Sequence, residues 1–130
     1  MKKMNFFAGV LAVMAIASCA SPGEKSSGTY NGNYNVMGTD YPGKIVVTKS
    51  ADNKVNMVLT CYYPVITDNA DGVNVTANGD KVTFAYDNTG TTTPNDMASI
   101  TGTLDGNTVV LDGILYLGGS SGYGVFTGTK

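Results

Sequence analysis

The chain has 130 residues and a formal net charge of −2, with no arginine, histidine or tryptophan. Without histidine there is no imidazole base near neutral pH and no imidazole metal ligand, so Ser–His–Asp and Cys–His catalysis are excluded. Apart from the adjacent Lys2 and Lys3, the six other lysines are scattered singly and form no cationic cluster that could neutralise phosphates, which argues against an ordinary nucleic-acid binder.

In chain order, Lys2 and Lys3 precede the apolar run Phe6–Ile16, FFAGVLAVMAI. That run has the length of a signal-peptide core and is too short to span a bilayer. It ends Ile16-Ala17-Ser18-Cys19, which resembles the lipobox of bacterial lipoproteins. The resemblance implies cleavage before Cys19, diacylglycerol on its sulfur, and acylation of the new amino group by a palmitate-type chain. Residues 1–18 are then a signal peptide, and the lipid on Cys19 is the link to a membrane. One acyl chain gives only marginal binding, at about 0.8 kcal/mol per buried methylene, whereas two or three hold a small domain durably. The remaining chain carries six lysines against one glutamate and nine aspartates, a net charge near −4. With Cys19 consumed, Cys61 is the one thiol left, no intramolecular disulfide is possible, and its place in the pattern Val55, Met57, Leu59, Cys61 predicts a core position.

Residues 19–27 continue as ASPGEKSS after the cysteine, a composition that predicts a lipidated flexible tether. From Gly28 to Lys130 the chain is rich in Val, Thr, Tyr and Gly, has no 3.6-residue apolar period, and reads as β throughout. Strands are predicted at Thr29–Met37, Lys44–Lys49, Lys54–Tyr63, Val73–Ala77, Lys81–Asp87, Ala98–Leu104, Thr108–Leu117 and Tyr123–Thr127. Loops are predicted at Pro64–Gly72 and Asn88–Asp96, and tight turns at Asn78-Gly79 and Asp105-Gly106. Alternation places Tyr30, Tyr34, Met57, Leu59, Phe84, Tyr86 and Leu111 on the buried face.

Consecutive strands with short turns predict an all-β, antiparallel up-and-down meander of about eight strands closed into a barrel, since closure removes both edges. A two-sheet β-sandwich is the alternative, but it needs a long crossover that the chain does not offer. Gly32, Gly124 and Gly128 suit the bending that closure requires.

The openings Gly28-Thr29-Tyr30-Asn31-Gly32-Asn33-Tyr34 and Ile100-Thr101-Gly102-Thr103-Leu104-Asp105-Gly106-Asn107, with the closing Gly122-Tyr123-Gly124-Val125-Phe126-Thr127-Gly128, resemble small calycin-like, or lipocalin-like, lipoproteins of Bacteroides-type bacteria. The resemblance covers residues 28–130 and implies a calycin-like barrel. Tyr30 stands where lipocalins carry the Trp of their Gly-X-Trp signature.

No enzyme is expected: most aspartates fall at turns, where the backbone explains them. Asp68-Asn69-Ala70-Asp71-Gly72 is oxygen-rich, but it lacks the alternating acidic spacing of a calcium loop, so a solvated turn is expected and neither metal nor cofactor. The remaining expectation is a binding module. Tyr41, Tyr62, Tyr63, Tyr116 and Tyr123 fall near strand ends, where a tyrosine offers apolar area and a polar tip to a small apolar ligand, a glycan or a protein. Large inward residues predict a filled interior. The alternatives are a protein-interaction module or peptidase inhibitor using loops 64–72 and 88–96, and a structural lipoprotein without a ligand. The expected location is the cell envelope, facing either the periplasm or the surface; Ala after Cys19 resembles the sorting signal of enteric lipoproteins, which implies the outer membrane.

Overall fold

The computed structural model describes residues 20–63, 65–88, 97–117 and 120–130, with side chains left aside at 114–117 and 120–121. Eight strands follow one short helix: α1 (Pro22–Ser26), β1 (Gly28–Val36), β2 (Thr39–Ala51), β3 (Lys54–Tyr62), β4 (Val65–Asn78), β5 (Lys81–Asp87), β6 (Ser99–Asp105), β7 (Thr108–Leu117) and β8 (Ser120–Thr129). Every strand pairs antiparallel with its sequence neighbour, and β8 pairs back onto β1, with Tyr34 opposite Phe126, to close the barrel. The meander expected from the short turns is therefore the architecture, and the sandwich alternative is not.

Alternation builds the core. Tyr30, Tyr34, Ile45, Val47, Val55, Met57, Leu59, Cys61, Val82, Phe84, Ile100, Leu104, Leu111 and Phe126 point inward and are buried. The residues between them on β1 and β8 (Asn31, Asn33, Thr127 and Thr129) are exposed. Apolar-in and polar-out is the reverse of the arrangement by which a barrel spans a bilayer. No described helix is long and apolar enough to cross a membrane.

Three departures from the sequence-based expectation have physical causes. The loop expected at Pro64–Gly72 is mostly strand: β4 starts at Val65, and Thr60 lies opposite Thr67. Asp71 and Gly72 together face the single Asn56 between the pairs Val55–Val73 and Met57–Ala70. Gly72 takes φ 78, and its N–H donates to Asn56 Oδ1 at 3.0 Å. The Asp-Gly pair thus makes a bulge within a strand, and not a turn between strands. β2 begins five residues earlier than expected, because Pro42 pairs with Asn33 of β1 yet lies one residue beyond the β3 pairing, which starts at Gly43. Met37, expected in the first strand, lies in the β1–β2 turn at φ 51, followed by Gly38 at φ 86.

The flexible tether expected over 19–27 is also corrected. Pro22–Ser26 is a helical turn, with the Ser21 hydroxyl accepting from the Glu24 N–H at 3.3 Å and Pro22 in its first turn. Ser21-Pro22-Gly23-Glu24 carries the Ser-x-x-Glu spacing of a capping box, the signal by which the turn could have been found. Gly23 is buried and donates its N–H to the Asp52 carbonyl at 2.9 Å, which fixes α1 to the β2–β3 turn. The loop 88–96 lies outside the described residues except for Asn88.

Candidate functional site

The barrel has two unlike ends. The near end carries α1, the turns β2–β3, β4–β5 and β6–β7, and Lys130. The far end carries the turns β1–β2, β3–β4 and β7–β8 and the β5–β6 connection. At the near end, the Tyr30 hydroxyl donates to the Ser26 carbonyl at 2.8 Å, and Lys130 lies over the Tyr30 ring at 5.3 Å from its centroid. The Lys130 ammonium also donates to the Lys25 and Ser27 carbonyls, at 2.9 and 3.1 Å. Lys49 joins Glu24 of α1 at 3.0 Å and Asp52 at 3.1 Å. The near end is consequently capped.

All five tyrosines singled out in the sequence belong to the far half of the barrel, four on strands and Tyr63 just past the end of β3. Tyr63 is 80 % exposed, Tyr123 62 % and Tyr62 38 %, while Tyr41 is half-buried against the core. Tyr116 pairs with Ser121 near the β7–β8 turn, and its side chain lies outside the described residues. Strand register links the rest into an arc. Asn35 opposite Val125 sets Met37 level with Tyr123, Gly43 opposite Cys61 sets Tyr41 level with Tyr63, and Tyr62 pairs with Val65. The arc crosses β8, β1, β2, β3 and β4 without a break.

Met37, 98 % exposed, and Val65, 78 % exposed, complete this rim and were not anticipated. The signal for Met37 was present. A two-residue hairpin turn with both residues at positive φ selects Asn, Asp or Gly at its first position, and a methionine there gives up backbone comfort for an apolar side chain in water.

Among the described residues the interior is occupied by large side chains. Tyr34, Ile45, Leu59, Met97, Ile100 and Phe126 are among the residues lining a void of about 10 Å³, at the lower limit for one water molecule. Asp68 is wholly buried within this core, on the face it shares with Ala70, while Asp71 points out. The acidic stretch 68–72 is therefore strand, and its carboxylates diverge, so the solvated turn expected there is corrected. Among the described residues no group of three or more His, Cys, Asp or Glu is placed to hold a metal. Burial pushes the Cys61 thiol pKa up, and the nearby Asp68 charge adds to it, so the thiolate form is disfavoured. Burial likewise raises the Tyr34 phenol, followed by Cys61, Asp68 and Tyr123. The Tyr34 hydroxyl donates to the Gly113 carbonyl at 3.3 Å.

No protein-family model matches the chain, and no curated protein does. A solved structure is similar in fold: a "putative outer membrane protein" from Bacteroides fragilis, with a TM-score of 0.66 and 19 % sequence identity. The likeness covers 87 % of this chain but 54 % of the other, so the chain spans about half the length of that protein.

Proposed function

We propose that this chain is a lipid-anchored protein of the cell envelope, at the outer membrane, that acts as a non-catalytic binding module and meets a glycan with the tyrosine-bearing rim at its far end. The observation that carries this proposal is the unbroken arc of Tyr123, Met37, Tyr62, Tyr63 and Val65 at one end of a barrel whose opposite end is capped. Exposed tyrosine rings stack on sugar faces, and their hydroxyls, with the neighbouring Asn35 and Asp40, supply hydrogen bonds. Asn35 Nδ2 donates to Asp40 Oδ1 at 2.7 Å, which orders these polar groups beside Met37. The large side chains on the barrel axis, which leave a void of about 10 Å³ among the described residues, favour the outer rim over the interior as the contact surface. The outer-membrane part rests on the sequence Ile16-Ala17-Ser18-Cys19-Ala20 and agrees with the description of the Bacteroides structure.

A glycan array tests the binding reading. The protein is expected to give hits among neutral glycans that the double variant Tyr63→Ala/Tyr123→Ala loses at unchanged melting temperature. Hits insensitive to those substitutions, or none above background, sink it. Alkyne-palmitate labelling that vanishes in Cys19→Ser tests the anchor separately.

One observation favours a second reading, a protein-interaction module: Met37, an unbranched apolar side chain held in water at a turn position that disfavours it. Polarizable methionine suits a protein partner better than a sugar. Loss of binding in Met37→Asn with glycan hits intact separates the two.

A further inference from the structure

We propose that the α1 end of the barrel is a bilayer-seating face, which holds the domain end-on against lipid headgroups and turns the tyrosine rim away from the membrane. This rests on the reading of Cys19 as lipidated and adds a defined orientation to it. The first support is the length of the link. Only Ala20 and Ser21 separate Cys19 from Pro22, and α1 is fixed to the barrel by the Gly23–Asp52 hydrogen bond and the Glu24–Lys49 ion pair. Three residue steps span at most about 11 Å, so a lipid on Cys19 cannot leave the near end far from the headgroups. A long flexible tether would have allowed every orientation; a docked helical turn does not.

The second support is the partition of charge. Lys25, Lys49, Lys54, Lys81 and Lys130 all lie at the near end, with Glu24, Asp52, Asp80 and Asp105 among them. Five lysines against four carboxylates leave this end near neutral. The rest of the mature chain holds Lys44 against six aspartates. A bilayer containing anionic lipid therefore meets a near-neutral, lysine-bearing face at the near end, and Asp40, Asp71, Asp87 and Asp112 against Lys44 over the rest of the described surface. Seated end-on, the far end stands roughly 25 Å from the surface, from strand rise and tilt. That is several times the Debye length of about 8 Å at physiological salt, so the acidic rim escapes repulsion only in this stance. Lying on its side, the barrel would bring Asp40, Asp87 or Asp112 into the headgroup field.

Hydrogen exchange on vesicles of phosphatidylethanolamine and phosphatidylglycerol tests the proposal without labels. Two preparations are compared with their detergent-solubilised forms: protein extracted from bacterial membranes, and the chain Cys19–Lys130 coupled through the Cys19 thiol to a maleimide phospholipid. Intact mass of the extracted protein reports whether Cys19 carries lipid, and its absence overturns the anchor reading alone. The expected result in both preparations is slowed exchange, by fivefold or more, over residues 21–27, 52–54 and 106–107, with residues 37–38 and 62–65 unchanged. Slowing confined to 37–38 and 62–65, equal slowing at both ends, or no slowing in the coupled chain overturns the seating, whatever the mass shows.

Discussion

Tyr30 reaches back four residues to donate its phenolic hydrogen to the carbonyl of Ser26, and both residues are wholly buried. This bond ties the first strand to α1 and closes the near end of the barrel. Tyr30→Phe keeps the ring and its packing but leaves a buried carbonyl without that donor. The expected cost is about 1–3 kcal/mol. A urea titration is expected to show the lowered midpoint, and hydrogen exchange over residues 22–27 is expected to speed up more than exchange in β3. Uniform acceleration across the barrel would show that the bond does not hold α1 in particular.

The same burial makes the fold sensitive to alkali. Burial pushes the Tyr30 phenol from 10.0 up to about 12, and Tyr34 is pushed higher still, by burial first. Both phenols hold their protons more tightly in the folded chain than in the unfolded one. Their contribution is complete below about pH 10 and is lost as pH rises through the folded values, because only the unfolded chain gains by ionising. Lys49 acts in the same direction in the same range, since its bonds to Glu24 and Asp52 need the ammonium. The urea midpoint is expected to hold steady from about pH 7 to 9 and to fall steeply toward pH 11. Tyr34→Phe is expected to flatten that fall. An unchanged slope in the variant would remove Tyr34 from the account.

Close approach, and not bending, explains the glycines of the seam. A Cβ on Gly124 would lie 2.5 Å from Tyr34 Cζ and 2.6 Å from the Asn35 carbonyl oxygen, and one on Gly128 would lie 2.6 Å from Phe126 Cε1. The two bare positions make room for the two rings that fill the barrel at the β8–β1 seam. Gly124→Ala is expected to cost about 1–3 kcal/mol, as overpacking of a dense core does. Gly113→Ala is the matched control, because its Cβ would approach the Ser99 oxygen only to 3.2 Å and Ile100 Cγ1 to 3.8 Å. Thermal melts of the pair are expected to rank Gly124→Ala well below Gly113→Ala. Equal melts would mean that Tyr34 can shift aside.

The barrel was legible because alternation runs through most of the described strand residues, β4 breaking it at the bulge, and because Asn-Gly and Asp-Gly mark two hairpins. The turns themselves lie one residue on, at Gly79-Asp80 and Gly106-Asn107, with the glycine alone at positive φ, while Asn78 and Asp105 still pair as strand with Lys81 and Thr108. What misled was local chemistry serving another purpose. Asp71-Gly72 has the composition of a turn but forms a bulge, since only the β3 partner decides whether an extra residue ends a strand or kinks it. Pro42-Gly43 also looks like a turn, yet Gly43 is where the backbones of β2 and β3 come close, and a Cβ there would meet the Thr60 carbonyl. Each tyrosine of the rim shows in the sequence only by its nearness to a strand end. Their gathering at one end depends on the register of five strands, which no local window contains. Asp68 is wholly buried beside Tyr34 and Cys61, because β4 continues through a stretch whose composition is that of a solvated turn.

Met37 joins stability to the rim in one test. Its backbone lies at φ 51, a region that costs an ordinary residue roughly 1–2 kcal/mol and that Asn tolerates. Its side chain is 98 % exposed, so it returns nothing in packing within the chain. Met37→Asn is therefore expected to raise stability by about 0.5–1 kcal/mol, read as a higher urea midpoint at unchanged slope. The Gly38 N–H already donates to Asn35 Oδ1 at 3.2 Å, so the turn keeps its hydrogen bond in the variant. On the protein-interaction reading, the exposed methionine serves a partner and not its own hairpin. The gain in stability should thus come with weaker binding of any protein partner and no change in glycan recognition. A variant no more stable than the parent would remove the argument that this turn gives up stability for an exposed methionine.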